Sequence, residues 1–217
     1  MNLSVVTDSW TLLLQGLGVT LLLSVLTILG GTLLGLLVGL ARASGPALLR
    51  LVARVYIEIF RGTPLLIQLL FVYFGAYSLG FEWNSTLVAA ATSLILYEAA
   101  YIAEIFRAGI EAVPVAQREA ATVLGLRKRT IFARVVLPQA MQIARAPLVG
   151  QYIGLVKDTS LATVVGLAEL MRQGQAIVDR TAQPLTVYLA VAALYFCVCY
   201  PMSLFVRHME RRAPVRT

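Results

Sequence analysis

Few residues in this sequence could do chemistry, and most of them are charges set in apolar surroundings. Glu98 interrupts an apolar run that goes from Trp83 to about Phe106. A charged side chain at the centre of a bilayer-spanning helix costs about 2.5–3.5 kcal/mol on insertion scales, so it is kept for a partner or a ligand. Fifteen residues past Trp83, Glu98 lies about 22 Å along a helix begun there, past the midplane of a bilayer. Two readings fit: an interhelical partner such as Arg145, or contact with a polar solute. Glu104 and Arg107, three residues apart, can pair on one helix face near the end of the same run. Lys157, Asp158, Thr159 and Ser160 gather charge and hydroxyls at the end of the next run. They either gate and touch a solute or cap and brace the chain.

Catalytic chemistry has no foothold. The single histidine, His208, sits in a basic tail beside an apolar run. Cys197 and Cys199, two positions apart on a helix, point in different directions and serve as small apolar fillers. A phosphate-binding loop needs Gly-Lys-Ser/Thr, and neither Lys128 nor Lys157 follows a glycine. No catalytic residue and no metal site is expected, and the chain is not expected to hydrolyse ATP by itself.

The elements that hold these residues follow from composition. Of 217 residues 59% are apolar and 13% charged, against a usual ~25% charged, and mean hydropathy is +0.81. A soluble domain could not cover its surface with so few charges, and a disordered chain would be far less apolar. An all-α polytopic membrane protein is expected, a single domain over 1–217. About 20 apolar residues cross a bilayer, which places five transmembrane helices at approximately 14–40, 62–81, 84–106, 137–156 and 183–206, with an interfacial lead-in around Trp10. A cleaved signal peptide is not expected, because Met1–Ser9 has no basic residue and the following run is too long. Gly31, Gly35 and Gly39, at four-residue spacing, let a neighbouring helix approach closely.

Orientation follows from Lys and Arg in the connections. Arg42, Arg50, Arg54 and Arg61 fill the first connection; Arg107, Arg118, Arg127, Lys128, Arg129 and Arg134 the third; Arg207, Arg211, Arg212 and Arg216 the tail. The alternate side holds Lys157, Arg172 and Arg180. Fourteen against three puts the N-terminus outside and the C-terminus in the cytoplasm. Trp10 and Trp83 then fall at the outer interface, which indoles prefer. The net charge of +7 is thereby spent on topology, and no nucleic-acid partner is expected.

The cytoplasmic segment 113–138 is the most informative. Pro114 suits a helix start and Gly125 a helix stop, where glycine takes a left-handed backbone without steric cost. Thr130 can cap a second short helix, which Pro138 ends or hands to the fourth span. Ala120 and Ala121 leave one surface shallow. Val123, Leu124, Ile131 and Phe132 offer apolar anchors within a basic rim. Such a helix can dock in a groove on another protein; the basic residues can equally lie on anionic headgroups.

Glu119, Ala120, Ala121, Gly125, Val135, Leu137 and Pro138 carry a resemblance to the EAA motif of the permease subunits of ABC importers. The run from Phe60 to Leu65, that from Ala100 to Arg107, and Lys157–Leu161 resemble one branch, the polar amino-acid permeases of the histidine/glutamine type. The resemblance implies a cytoplasmic coupling helix in which Glu119, Ala120, Ala121 and Gly125, with Leu137 and Pro138 behind them, transmit the closure of a separate P-loop ATPase dimer. ATP and Mg would be bound by that partner, and this chain would hold no cofactor. It also implies a second permease subunit, identical or homologous, an extracytoplasmic solute-binding protein, and a bacterial cytoplasmic (inner) membrane as the surrounding bilayer. The amino acid, cationic or zwitterionic, would pass near Glu98, Tyr101, Glu104, Lys157, Asp158, Thr159 and Ser160. The competing class is an ATPase-independent secondary transporter or channel subunit.

Overall fold

The structure, a computed structural model, describes residues 4–83 and 85–212. Arg216, counted above on the basic side, lies outside the described residues. Their secondary structure is helical throughout: α1 Ser4–Asp8, α2 Trp10–Ser44, α3 Ala47–Gly62, α4 Leu65–Ser78, α5 Thr86–Glu111, α6 Val115–Val123, α7 Lys128–Ile131, α8 Leu137–Asp158, α9 Leu170–Thr181 and α10 Pro184–Arg212.

Among the described residues, three helices are long and apolar enough to cross a membrane: Trp10–Ala43, Thr86–Glu111 and Pro184–His208. A fourth crossing is available if α3 and α4, bent by 113° at their junction, act as one broken span. At 22 residues α8 is long enough, but Gln139, Gln142, Arg145 and Gln151 make it more polar than those three. The expected lead-in around Trp10 is the first turn of α2 itself, a helix of 35 residues and about 52 Å.

The first basic connection, expected as a loop, is instead helix α3. Its apolar residues recur at helical spacing, with Ala53 and Ile57 buried against the bundle. After Gly62 the chain leaves the helix, Thr63 adopting an extended backbone (φ −121°, ψ 149°) before Pro64, as a residue preceding proline prefers. Gln68 spans the break: its amide donates to the Phe60 carbonyl (2.8 Å), the Thr63 carbonyl (3.0 Å) and Thr63 Oγ1 (2.7 Å). These bonds satisfy acceptors that the end of a helix leaves open.

The core is the contact between α2 and α5, the most extensive in the molecule. A Cβ at Gly31 would meet Cβ and Cγ of Glu98 at 2.8 Å, and one at Gly35 would meet Ile102 Cβ at 2.8 Å and the Ala99 carbonyl oxygen at 2.9 Å. At Gly39 the nearest atoms lie at 3.7 Å. The glycine row is therefore a close-packing device at its first two positions. The opposite face of α2 is open, with Leu29, Leu33 and Leu37 well exposed.

Candidate functional site

Proline and glycine set the ends of α6 as their backbone preferences require. Pro114 precedes the first turn, and Gly125, at φ +74°, turns the chain after Leu124. The expected cap at Thr130 is not formed: α7 starts at Lys128, after an extended Arg127, and Thr130 lies inside it. Of the two roles open to Pro138, the structure shows the second: the short helix is handed on to the next one. The chain runs through a wide π turn, Phe132–Val136, into α8. A proline has no N–H for the carbonyl four residues back, and a wider turn lets the backbone pass that point.

Helix α6 has two faces. Ala121 is buried and packs with Val113, Ile131, Val136 and Ala140, so Ala121 and Ile131, expected on the outer surface, face the bundle. Glu119, Ala120, Val123 and Leu124 point outward, with Val123 87% and Leu124 78% exposed. Leu137 and Pro138 are also exposed, in the first turn of α8. Two polar ties hold α6 to the bundle, and sequence reasoning missed both. The Arg118 guanidinium donates to the Ile110 carbonyl at the end of α5. The Gln139 amide, from α8, donates to Gln117 Oε1 at 2.6 Å and to the Val135 carbonyl at 2.9 Å. These bonds tie the short helix to both α5 and α8.

Glu98 is the thirteenth of the 26 residues of α5. Trp83 lies before that helix and donates its indole N–H to the Tyr73 carbonyl at 3.2 Å, so Glu98 sits at the helix middle rather than beyond it. Its side chain is fully buried between α2, α5 and α8. The partner is the Gln151 amide, which donates to Oε2 at 3.1 Å; Arg145 is exposed on the same helix. Next to Gly31 and Gln151 in this seam, Thr32 and Tyr152 share a hydrogen bond of 2.8 Å.

Tyr97, Tyr101 and Glu104 occupy another face of α5 and are half-buried. The two tyrosine rings lie 4.7 Å apart and the Arg61 guanidinium 5.5 Å above the Tyr101 ring. Glu104 takes Arg107 at 2.6 Å, as the spacing of three allows, and also Arg42 of α2 at 2.8 Å and Arg61 of α3 at 3.5 Å. Arg107 in turn pairs with Glu111. The two further arginines come from residues about 40–60 positions earlier, and no local spacing signals them.

Lys157 and Asp158 close α8, and Thr159–Val165 continue as a 3-10 helix. Thr159 is buried and donates to the Val156 carbonyl at 2.7 Å; Ser160 donates to the Lys157 carbonyl at 2.7 Å. Both hydroxyls thus cap their own helix, leaving Lys157 exposed and Asp158 half-buried. Sequence reasoning also missed Glu169, which caps α9. It accepts from the Met171 and Arg172 amides at 2.8 Å each and from the Tyr195 hydroxyl at 3.1 Å. Burial pushes its carboxyl above the usual carboxylate range, and those two amides pull it back.

The sequence matches the family described as binding-protein-dependent transport system inner membrane component over residues 31–214. It is 38% identical over 208 residues to the glutamine transport system permease protein GlnP of Escherichia coli (strain K12), covering 94% of each chain. It is also 38% identical over 207 residues to the L-cystine transport system permease protein TcyB of Bacillus subtilis (strain 168), covering 94% of this chain and 87% of that one. The fold superposes on a solved structure described as an amino acid ABC transporter with histidines, with a TM-score of 0.93 and 35% identity over 98% of this chain and 99% of that one.

Proposed function

The chain belongs to the binding-protein-dependent transport system inner membrane components, and from that premise we propose that it is the membrane subunit of an ATP-driven importer of a polar amino acid. It is a transport component rather than a catalyst. The observation that carries this reading is the two-faced α6. Its inner face is anchored through Ala121, Gln117 and Arg118, while Glu119, Ala120, Val123 and Leu124 stay outward for a partner. Gly125, Leu137 and Pro138 shape the turn and the wide helix entry that follow.

In this reading the outward face seats in a cytoplasmic P-loop ATPase dimer, which binds ATP and Mg. Rigid-body movement of that partner reaches the spans through α6. A second permease subunit completes the pathway, and an extracytoplasmic binding protein delivers the solute. The chain crosses a bacterial inner membrane five times, α8 being the fourth crossing, with the N-terminus outside. Relatives named for glutamine and cystine support a polar amino acid as cargo.

For the pathway, the half-buried Tyr101 and Asp158 are the stronger candidates, with Lys157, Thr159 and Ser160 shaping the end of α8. Glu104 braces the inner end of the bundle, since three arginines already hold it. Glu98, enclosed against Gly31, acts as an interhelical tie. Glu98→Gln is therefore expected to change uptake of neutral and cationic amino acids alike, within about twofold, and stability by no more than about 1 kcal/mol. A selective loss of cationic amino acids would assign it to the pathway.

The test of the whole reading is reconstitution with and without a P-loop ATPase and a solute-binding protein. Uptake should need both proteins and ATP. Accumulation driven by an ion gradient in vesicles holding this chain alone would make it a secondary transporter.

A further inference from the structure

At the end of the bundle that carries α6 and α7, helices α2 and α5 and the start of α8 leave a cavity of about 320 Å³, within the ~300–1,000 Å³ range of small-molecule sites. Arg42, Arg107 and Glu111 give the lining its charge; Leu36 and Met141, further into the bundle along α2 and α8, form an apolar end, with Phe106 beside Arg107 between them. Leu36 lies six residues before Arg42 on α2, about 9 Å further into the bundle. The charges that face one another here are Arg42, Arg61 and Arg107 against Glu104 and Glu111, one positive charge in excess. The wall formed by Leu36 and Leu40 continues outward into the exposed leucines of α2, Leu33 at 64% and Leu37 at 56%.

We propose that this cavity binds an acidic phospholipid of the inner leaflet. Its phosphate would lie at Arg42 and Arg107, with an acyl chain along Leu36, Phe106 and Met141. A basic pocket between spanning helices on the cytoplasmic side has the chemistry for an anionic headgroup. A soluble anion would leave the apolar end empty, and an apolar molecule would leave the arginine excess unanswered. The proposal rests on the cytoplasmic placement of this end given above, but lipid binding can be read without knowing the orientation. The cavity also touches Phe132, which opens the π turn, and Leu137, which opens α8, so an occupant would brace the joint between the coupling segment and α8.

The experiment is native mass spectrometry of the assembled transporter in detergent, after exchange with phosphatidylglycerol or phosphatidylcholine. Retention of phosphatidylglycerol is expected to exceed that of phosphatidylcholine by about tenfold. Met141→Trp, which fills the apolar end without touching the ion network, should reduce retained phosphatidylglycerol about fivefold, as the wall it fills would no longer accept a chain. Arg42→Gln should remove the preference between the two lipids, and Leu29→Trp, on exposed surface outside the cavity, should leave both values unchanged. Equal retention of the two lipids by the unaltered protein would overturn the proposal, as would unchanged retention in Met141→Trp. Displacement by excess inorganic phosphate would make the site one for a soluble anion. Loss of the ATPase from Met141→Trp with lipid retained would make it a protein contact.

Discussion

Gly125→Val should abolish ATP-driven uptake while leaving the chain inserted in the membrane at normal abundance. Gly125 has φ +74° and nothing within 4 Å of the position a Cβ would take, so the whole effect lies in the backbone. A left-handed conformation costs an ordinary residue about 1–2 kcal/mol, and a β-branched one is among the least tolerant. The turn would relax, and α6 would no longer hold its angle to α7 and the π turn. Glu119→Lys tests the same element from its outer face. Glu119 is exposed, so a reversed charge costs the fold little, yet it meets the partner with the wrong sign. Both variants are to be compared with the unaltered protein for uptake and for co-purification of the ATPase at matched expression. Uptake should fall more than tenfold, a barrier change of about 1.4 kcal/mol. Wild-type uptake in either would contradict the docking role of α6.

Gly35→Val should act on the fold instead. Even the first carbon of the side chain would land 2.9 Å from the Ala99 carbonyl oxygen and 2.8 Å from Ile102 Cβ, and a backbone oxygen in the middle of α5 cannot swing aside. Overpacking of this kind costs about 1–3 kcal/mol, here at the largest helix contact of the molecule. Gly39→Ala is the matched control, because its nearest neighbours at 3.7 Å are in ordinary contact. Thermal denaturation in detergent and abundance in membranes should separate the two variants clearly. Identical melting of Gly35→Val and Gly39→Ala would mean that the α2–α5 contact is not as close as described.

Much of this was legible from residue types. Pro114 and Gly125 mark the ends of α6 because proline and glycine restrict or free their own backbone, whatever surrounds them. The pairing of Glu104 with Arg107 follows from helix spacing alone. Helix α3 was hidden by its arginines, which read as loop charge. The apolar spacing through Ala53 and Ile57 carried the signal, but an amphipathic helix and a basic connection look alike when only charges are counted.

The sequence by itself determined a helical membrane chain and the two ends of α6, because composition and backbone restriction are properties of a residue and its neighbours. Only the tertiary structure decided which way each side chain faces. Ala121 points inward and Ala120 outward; Glu98 meets Gln151 rather than Arg145; Glu104 gathers Arg42 and Arg61 as well as Arg107. The two glutamate outcomes depend on how segments some 40–60 residues apart are rotated against each other, and close packing of glycine against helix sets that rotation; Ala121 is turned inward by its packing on Ile131, Val136 and Ala140.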